Sequence, residues 1–275
     1  LVNPVYMIAE IGINHNADLQ IAKRLIDAAF ACGWDCVKFQ KRNPDICIPE
    51  SQKQVMRKTP WGEMTYIDYK WLIEFGEEEY DYIDKYCKEK PIHWSASPWD
   101  LDSIQFLKNY DIPFIKIPSA MVTNIEYLEA IANFGKPVLL STGMSTIEEI
   151  DNAVKILKNT DLALMHCNST YPTPPNECNL RTITFLQNRY KLPVGYSGHE
   201  QGLEPSVIAA SLGAKIIERH ITLDHTMWGT DHPASLEIHA MDMLKKRIME
   251  VMKCMGDGVK RVTDGEEKIR EKLRG

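Results

Sequence analysis

No stretch of this 275-residue sequence reaches the roughly 20 consecutive apolar residues of a membrane-spanning helix, so no membrane partner is expected. No basic run is present, and 38 acidic against 32 basic residues leave a net charge of −6, which argues against nucleic acid as a main partner. An anionic small molecule is not excluded, because local charge decides that. Pairs of the C-x-x-C type are missing. The seven cysteines, Cys32, Cys36, Cys47, Cys87, Cys167, Cys178 and Cys254, are odd in number, and several lie in apolar helix or strand patterns. Reduced thiols in a cytoplasm are therefore expected rather than disulfides. The opening, Leu1 to Tyr6, runs into a strand without a charged leader, so no signal peptide is expected. Gly-x-Ser-x-Gly is absent, as is the Gly-x-x-x-x-Gly-Lys phosphate loop, which removes two common routes to hydrolase and nucleotide chemistry.

What is present is a rhythm. With 44% hydrophobic and 25% charged residues, the chain can bury a large core. Short apolar runs alternate with amphipathic segments throughout. Strands are expected at Tyr6 to Glu10, Cys36 to Gln40, His93 to Ser97, Phe114 to Ile117, Val138 to Ser141, Leu162 to His166, Val194 to Ser197 and Ile216 to His220. Each is followed by a segment with apolar residues near a 3.6 period, the last being Leu236 to Met255. Asp100 and the Thr146/Glu149 spacing read as helix starts, and Gly33, Gly135 and Gly213 as helix ends. Eight βα units in order predict one α/β domain over 1–275, a (β/α)8 TIM barrel. One connection breaks the rhythm. Residues 41–76 form a long insertion with Pro44, Pro49, Pro60 and Gly62 and several aromatics, either a functional lid or a decorated surface loop. The charged tail from Gly256 reads as a short closing helix.

Several of these strands finish on polar residues set two apart: Lys38 and Gln40, Ser95 and Ser97, Ser197 and His199, Glu218 and His220. Residues i and i+2 share a face of a strand, so each pair points the same way while Val37, Phe39 and Ile217 point the other. That pattern suits a barrel with a polar site at its C-terminal mouth. Lys38 and Lys116 there would be ammonium groups needing an anion. A carboxylate or phosphate ligand among Ser97, Ser119, Ser141 and Ser197 would meet that need; a salt bridge from Lys38 to Glu10 or Glu218 would meet it without a ligand. His199 and His220 end neighbouring strands and, with Glu10 or Asp231, could hold a divalent metal with open positions, or could simply line the mouth. His15, His166, His225 and His232 are further candidates that spacing does not rank. The loop with Asp224, His225, Asp231 and His232 is either part of a site or solvated surface. Lys38 or Lys116 as a Schiff-base nucleophile is a separate alternative.

Eight strings, each at a strand end or just beyond it, carry a resemblance: Glu10-Ile11-Gly12-Ile13-Asn14-His15-Asn16, Val37-Lys38-Phe39-Gln40, Lys116-Ile117-Pro118-Ser119, Ser141-Thr142-Gly143-Met144, Tyr171-Pro172-Thr173-Pro174, Gly195-Tyr196-Ser197-Gly198-His199, Glu218-Arg219-His220 and Gly229-Thr230-Asp231-His232. In that order the chain resembles, over nearly its whole length, the catalytic barrel of the sialic acid synthase family. Those enzymes condense phosphoenolpyruvate with an N-acylated hexosamine such as N-acetylmannosamine. The resemblance implies a (β/α)8 barrel, with His199 and His220 as ligands of a divalent metal, Mn2+ with Mg2+ or Co2+ as substitutes. It implies Lys38, Ser97, Lys116, Ser119, Ser141, Ser169 and Ser197 around phosphoenolpyruvate, and Gln40, Tyr171 and Asp231 toward the sugar. Glu10 beside the sugar hydroxyls and Glu218 beside the attacking water would manage protons. Ser97 stands where some members have Thr, and Ser169 where others have Asn.

Two departures qualify what the resemblance implies. Met121 falls where many members carry an acidic residue, which bears on sugar choice. Members also continue into an antifreeze-like domain that swaps across a dimer and lends an arginine to the partner's sugar site. This sequence stops at Gly275, so a homo-oligomer or a separate partner is expected to replace that arginine. The alternatives are a synthase of a legionaminic or pseudaminic type of acid, a Schiff-base aldolase, and a non-catalytic barrel that only binds such ligands.

Overall fold

The structure, a computed structural model, describes residues 5–274; the expected opening at residues 1–4 lies outside them. Its strands in chain order are β1 (Tyr6–Gly12), β2 (Cys36–Lys41), β3 (Met56–Thr59), β4 (Gly62–Thr65), β5 (His93–Pro98), β6 (Ile115–Ile117), β7 (Val138–Ser141), β8 (Leu162–His166), β9 (Val194–Gly198) and β10 (Ile216–His220). Eight of them form one parallel sheet, ordered β5-β2-β1-β10-β9-β8-β7-β6. At the two sheet ends the Ser95 hydroxyl of β5 donates to the Phe114 carbonyl, one residue before β6, at 2.6 Å, which brings the edges together. Helices alternate with the strands, so the expected (β/α)8 barrel is the fold.

Strand alternation divides the interior in two. Met7, Ala9, Val37, Phe39, Ile117, Leu140, Leu164 and Ile217 face outward and pack under the helices with Leu25, Ile26, Ile83, Ile104 and Leu186. Burying one such side chain is worth about 1.5–3 kcal/mol, so a one-residue slip that exchanged Phe39 for Lys38 in that layer would be heavily penalised. The register is thereby fixed from outside. On the inward faces a separate apolar plug of Ile8, Cys36, Phe114, Leu139, Ala163 and Met165 fills the lower barrel. Gly195 belongs to this plug, because a methyl there would lie 2.5 Å from Met165 Sδ and 2.7 Å from the Ile216 carbonyl oxygen.

The helix ends follow the sequence signals. Asp100 accepts from the Ser103 amide, Thr146 and Glu149 form a reciprocal capping box, and Gly33, Gly135 and Gly213 take positive φ. All seven cysteines are free thiols. Among the described residues no helix is long and apolar enough to cross a membrane.

Two expectations need correction. The 41–76 insertion is built rather than looped: short helices Pro44–Cys47 and Glu50–Lys53, a hairpin of β3 and β4, and a helix Tyr66–Ile73. Elements of four residues are too short to show periodicity, which is why the sequence reads there as irregular. The tail does form a helix, Asp264–Arg274, but it buries no residue and so closes no face of the barrel.

Candidate active site

The i, i+2 pairs converge at the C-terminal ends of the strands. Cross-strand register sets Glu10 beside Lys38 and His220, Glu218 beside Ser197, and Gln40 beside Ser97. These residues, with Lys116, Ser119, Ser141, Ser169, Tyr171 and His199, line one cavity of about 220 Å³. At its base lies a ring of four buried charges. Lys38 Nζ sits 2.6 Å from Glu10 Oε2 and 3.8 Å from Glu218 Oε2, while Lys116 Nζ donates to Glu218 Oε1 at 3.1 Å. The lysines therefore already have carboxylate partners, and the ring is neutral within itself. Ser97 accepts from Lys38 at 2.9 Å, Ser197 donates to Glu218 Oε1 at 3.0 Å, and Gln40 donates to Glu10 Oε1 at 3.0 Å.

Electrostatics favour the charged forms of Glu218 and Lys38. Burial pushes the Glu218 carboxyl up, but Lys116, Lys38 and the Ser197 hydroxyl outweigh it and hold the group well below the usual carboxylate range. Burial likewise disfavours the Lys38 ammonium, and Glu10 and Glu218 reverse that, so its pKa is raised. An amine held protonated by two carboxylates is a poor imine-forming nucleophile, which removes support from the Schiff-base alternative at Lys38.

Beside the ring is a cup of small donors. The Gly143 amide donates to Ser119 Oγ at 3.1 Å. A Cβ on Gly143 would fall 2.5 Å from Ser169 Oγ, 2.8 Å from Ser119 Oγ and 3.0 Å from Cys167 Sγ, so only glycine leaves this cup open. Hydroxyls and an amide around a concavity suit phosphate oxygens.

Across the mouth stand the two imidazoles, ring centres 5.6 Å apart. His199 Nδ1 lies 2.6 Å from the Asn168 carbonyl oxygen, which can only accept, so Nδ1 carries the proton and Nε2 presents a lone pair. That lone pair accepts from the Tyr171 hydroxyl at 2.8 Å. Burial, then the neighbouring His220, pushes the His199 pKa down to about 3, so the ring is neutral at ordinary pH. His220 Nδ1 is buried without a hydrogen-bond partner, 3.9 Å from Asp231 Oδ2. A neutral imidazole oriented through its other nitrogen and an orphaned imidazole nitrogen beside a carboxylate fit a divalent ion. Among the described residues no three His, Cys, Asp or Glu side chains gather as a metal cage. The loop that carries His199 is pinned from behind. Arg219, on the outward face of β10, meets Glu200 at 3.0 Å and donates to the carbonyls of Glu200 and Gly202.

The remaining histidines lie elsewhere. His15 stacks on Phe75 at 3.8 Å, His166 bonds the Cys178 carbonyl, His225 bonds the Ser235 carbonyl and His232 bonds Thr222. Within the same motif Asn14 and Asn16 act as braces, donating to the Ile221 and Trp228 carbonyls and so tying the loop after β1 to the loop after β10. Met121 packs against the outer core rather than in the mouth. Residues that sequence reasoning missed include Gly143, Trp99, Asn168 and Arg42. Arg42 follows Lys38 and Gln40 at the same spacing of two and donates to Gln40 Oε1 at 2.5 Å, so the alternation rule carried one step further would have found it. Asn168 acts through its backbone carbonyl, which leaves no trace in residue type.

Comparison with known proteins gives a consistent picture. The sequence profile of the NeuB family matches residues 25–260. The N,N'-diacetyllegionaminic acid synthase of Campylobacter jejuni is 38% identical over 269 residues, covering 95% of this chain and 80% of that protein. Human N-acetylneuraminate-9-phosphate synthase is also 38% identical, over 276 residues, with 98% and 77% covered. Among solved structures, the N-acetylneuraminic acid synthetase of Leptospira borgpetersenii, crystallised with citrate, superposes with a TM-score of 0.89 at 33% identity, covering 99% of this chain and 93% of that one. A truncated 3-deoxy-D-arabino-heptulosonate 7-phosphate synthase from Thermotoga maritima shares the fold at a TM-score of 0.70 and 15% identity, covering 92% of this chain and 89% of that one.

Proposed function

The chain belongs to the NeuB family of synthases for sialic acid and related sugars, and from that premise we propose that it joins phosphoenolpyruvate to an N-acylated hexosamine such as N-acetylmannosamine, releasing phosphate and a nine-carbon 2-keto sugar acid. The observation that carries this reading is the sharing of one cavity by three features: a lysine–carboxylate ring, a cup of serine hydroxyls, and a pair of imidazoles. Phosphoenolpyruvate needs the first two. Its carboxylate suits Lys38 and Lys116 with Ser97, Ser141 and Ser197, and its phosphate suits Ser119, Ser169 and the Gly143 amide. The acceptor's hydroxyls suit Gln40, Tyr171 and Asp231 on the outer side.

A divalent ion on His199 and His220, Mn2+ in our proposal, would supply Lewis acidity to the aldehyde oxygen of the open-chain sugar. It also answers a charge problem. The ring is neutral, so a ligand bearing both phosphate and carboxylate leaves the mouth negative unless positive charge enters with it.

In the reaction the methylene carbon of phosphoenolpyruvate bonds to the aldehyde carbon, and water adds to the electron-poor second carbon. One proton from that water ends on the former aldehyde oxygen. The other leaves with phosphate when the carbon–oxygen bond breaks and the ketone forms. Glu218 Oε2 makes no hydrogen bond and belongs to a carboxylate held ionised, so it suits orienting the water. Glu10, bonded to Gln40, faces the sugar side and suits relaying the proton to the new hydroxyl.

The test is to incubate metal-stripped protein with phosphoenolpyruvate and a panel of N-acyl hexosamines, with and without Mn2+, following phosphate release and product mass together. Metal-dependent release coupled to a nine-carbon product is the expected result. Binding of phosphoenolpyruvate with no product from any acceptor would favour the binding-only barrel.

A further inference from the structure

The loop after β8 acts on His199 twice. Its Asn168 carbonyl fixes Nδ1, and three residues later the Tyr171 hydroxyl donates to Nε2 of the same ring at 2.8 Å. The Tyr171 ring stacks on His199 with centres 4.1 Å apart at 29°, and meets His220 nearly edge-on at 5.8 Å and 75°. His199 and His220 are 7% and 4% exposed, whereas Tyr171 is 43% exposed. The tyrosine therefore covers the imidazole pair on the side that faces solvent.

That contact conflicts with a metal on His199. A neutral imidazole has one nitrogen lone pair in the ring plane, which accepts a hydrogen bond or binds an ion but does not do both. With the proton on Nδ1, that lone pair is the one on Nε2 which Tyr171 already holds. The phenol does not keep the place by becoming a ligand itself. Burial, then Asp231, push its pKa up, so it retains its proton and stays a donor. Nor is the backbone free to carry it away. The Thr170 amide donates to Asn168 Oδ1 at 2.8 Å, the Thr173 hydroxyl donates to the Thr170 carbonyl at 2.8 Å, and the Thr173 amide donates to the His199 carbonyl at 3.0 Å. What is free is the side chain, which turns between staggered rotamers toward the solvent it already touches.

We propose that Tyr171 gates the metal position: its hydroxyl and a divalent ion compete for His199 Nε2, the side chain turns outward when the ion takes that nitrogen, and the hydroxyl so released is the one offered to the acceptor sugar. The proposal rests on the reading of His199 and His220 as metal ligands. It sets an order of binding, ion before acceptor, because Tyr171 serves the sugar only after leaving the histidine. It also gives one hydroxyl effects of opposite sign on two partners. Its removal strengthens the ion and weakens the acceptor, a combination that neither a metal ligand nor a plain sugar contact would show.

The metal-stripped full chain is titrated calorimetrically with Mn2+, as the parent and as Tyr171→Phe, Tyr171→Ala and His199→Ala. Tyr171→Phe keeps the stacked ring and loses the competing bond, so its Mn2+ affinity should be about fivefold higher, the worth of one ordinary hydrogen bond. The KM for N-acetylmannosamine should rise in the same variant. Tyr171→Ala removes the cover as well and should speed Mn2+ association in stopped flow, while His199→Ala should lose the binding. Mn2+ affinity that is equal to the parent's or lower in both Tyr171 variants would overturn the gate. Tighter Mn2+ binding in Tyr171→Phe with no product from any acceptor keeps the gate and removes the condensation. Metal-dependent product formation with Mn2+ affinity unchanged in both variants removes the gate alone.

Discussion

The floor and the mouth of the barrel are built on the same inward strand faces from opposite chemistry. Ile8 and Glu10 are two residues apart on β1, Cys36 and Lys38 on β2, Leu139 and Ser141 on β7, Ile216 and Glu218 on β10. The lower member of each pair belongs to the apolar plug or, for Ile216, packs against it, and the upper lines the cavity. Because helix-facing residues such as Phe39 and Ile217 fix the register, the upper inward positions are relieved of any packing duty. They can then hold charges whose burial would otherwise be destabilising, provided each has a partner, and the Glu10, Lys38, Lys116, Glu218 ring supplies those partners internally. Substitutions in the two halves should therefore fail in different ways.

The largest effect is expected in the mouth. His220→Ala should lower turnover by more than about a hundredfold, beyond the loss seen when a mere supporting group of a metal site is removed, with the melting temperature retained. Turnover that survives in His220→Ala would remove the imidazole pair from the chemistry. Gly195→Ala, in the floor, should do the reverse. Overpacking against Met165 and the Ile216 carbonyl should cost about 1–3 kcal/mol in urea unfolding, while activity per folded molecule is kept. A stable but inactive Gly195→Ala would break the division between the halves. Gly143→Ala fills the donor cup and should raise the KM for phosphoenolpyruvate about tenfold, or roughly 1.4 kcal/mol, with little change in stability. An unchanged KM would put the phosphate elsewhere.

The smallest effect concerns His15, behind the mouth. Burial pushes its pKa down to about 3 from the ordinary 6.5, so the unfolded chain binds a proton there that the folded chain refuses. Stability is then fully present above pH 6.5 and falls as the pH drops toward 3. Between pH 7 and pH 6 the loss is about 0.7 kcal/mol, steepening below that. His166, His199 and His232 are lowered too and add to the slope in any variant that keeps them. A His15→Gln protein should accordingly show a shallower stability slope than its parent, and parallel slopes would mean that His15 is protonated in the fold.

The fold was legible because alternation and helix punctuation agree strand by strand. β7, β8 and β10 run as the apolar runs imply, and β1 and β2 extend one or two residues further. Most of the mouth was legible for the same reason, since Lys38, Gln40, Ser97, Ser197, His199, Glu218 and His220 fall at strand ends with a spacing of two. What stayed hidden has physical causes. The insertion's elements are too short for a period. Asn168 orients His199 through a carbonyl that any residue could offer; the bridge from Lys38 to Glu10 and Glu218 was among the readings of the sequence, but that of Lys116 to Glu218 depends on which strand ends face one another across the barrel, which a single strand's sequence does not contain.

The central claim is that a lysine–carboxylate ring of balanced charge beside the two imidazoles of His199 and His220 takes phosphoenolpyruvate together with a divalent ion. Calorimetric titration of phosphoenolpyruvate into the metal-stripped protein, with and without Mn2+ and repeated on His220→Ala, tests it most directly. The account predicts at least tenfold tighter binding with Mn2+ in the parent protein and loss of that gain in His220→Ala. Equal affinity with and without Mn2+, or a gain that persists in His220→Ala, would contradict it.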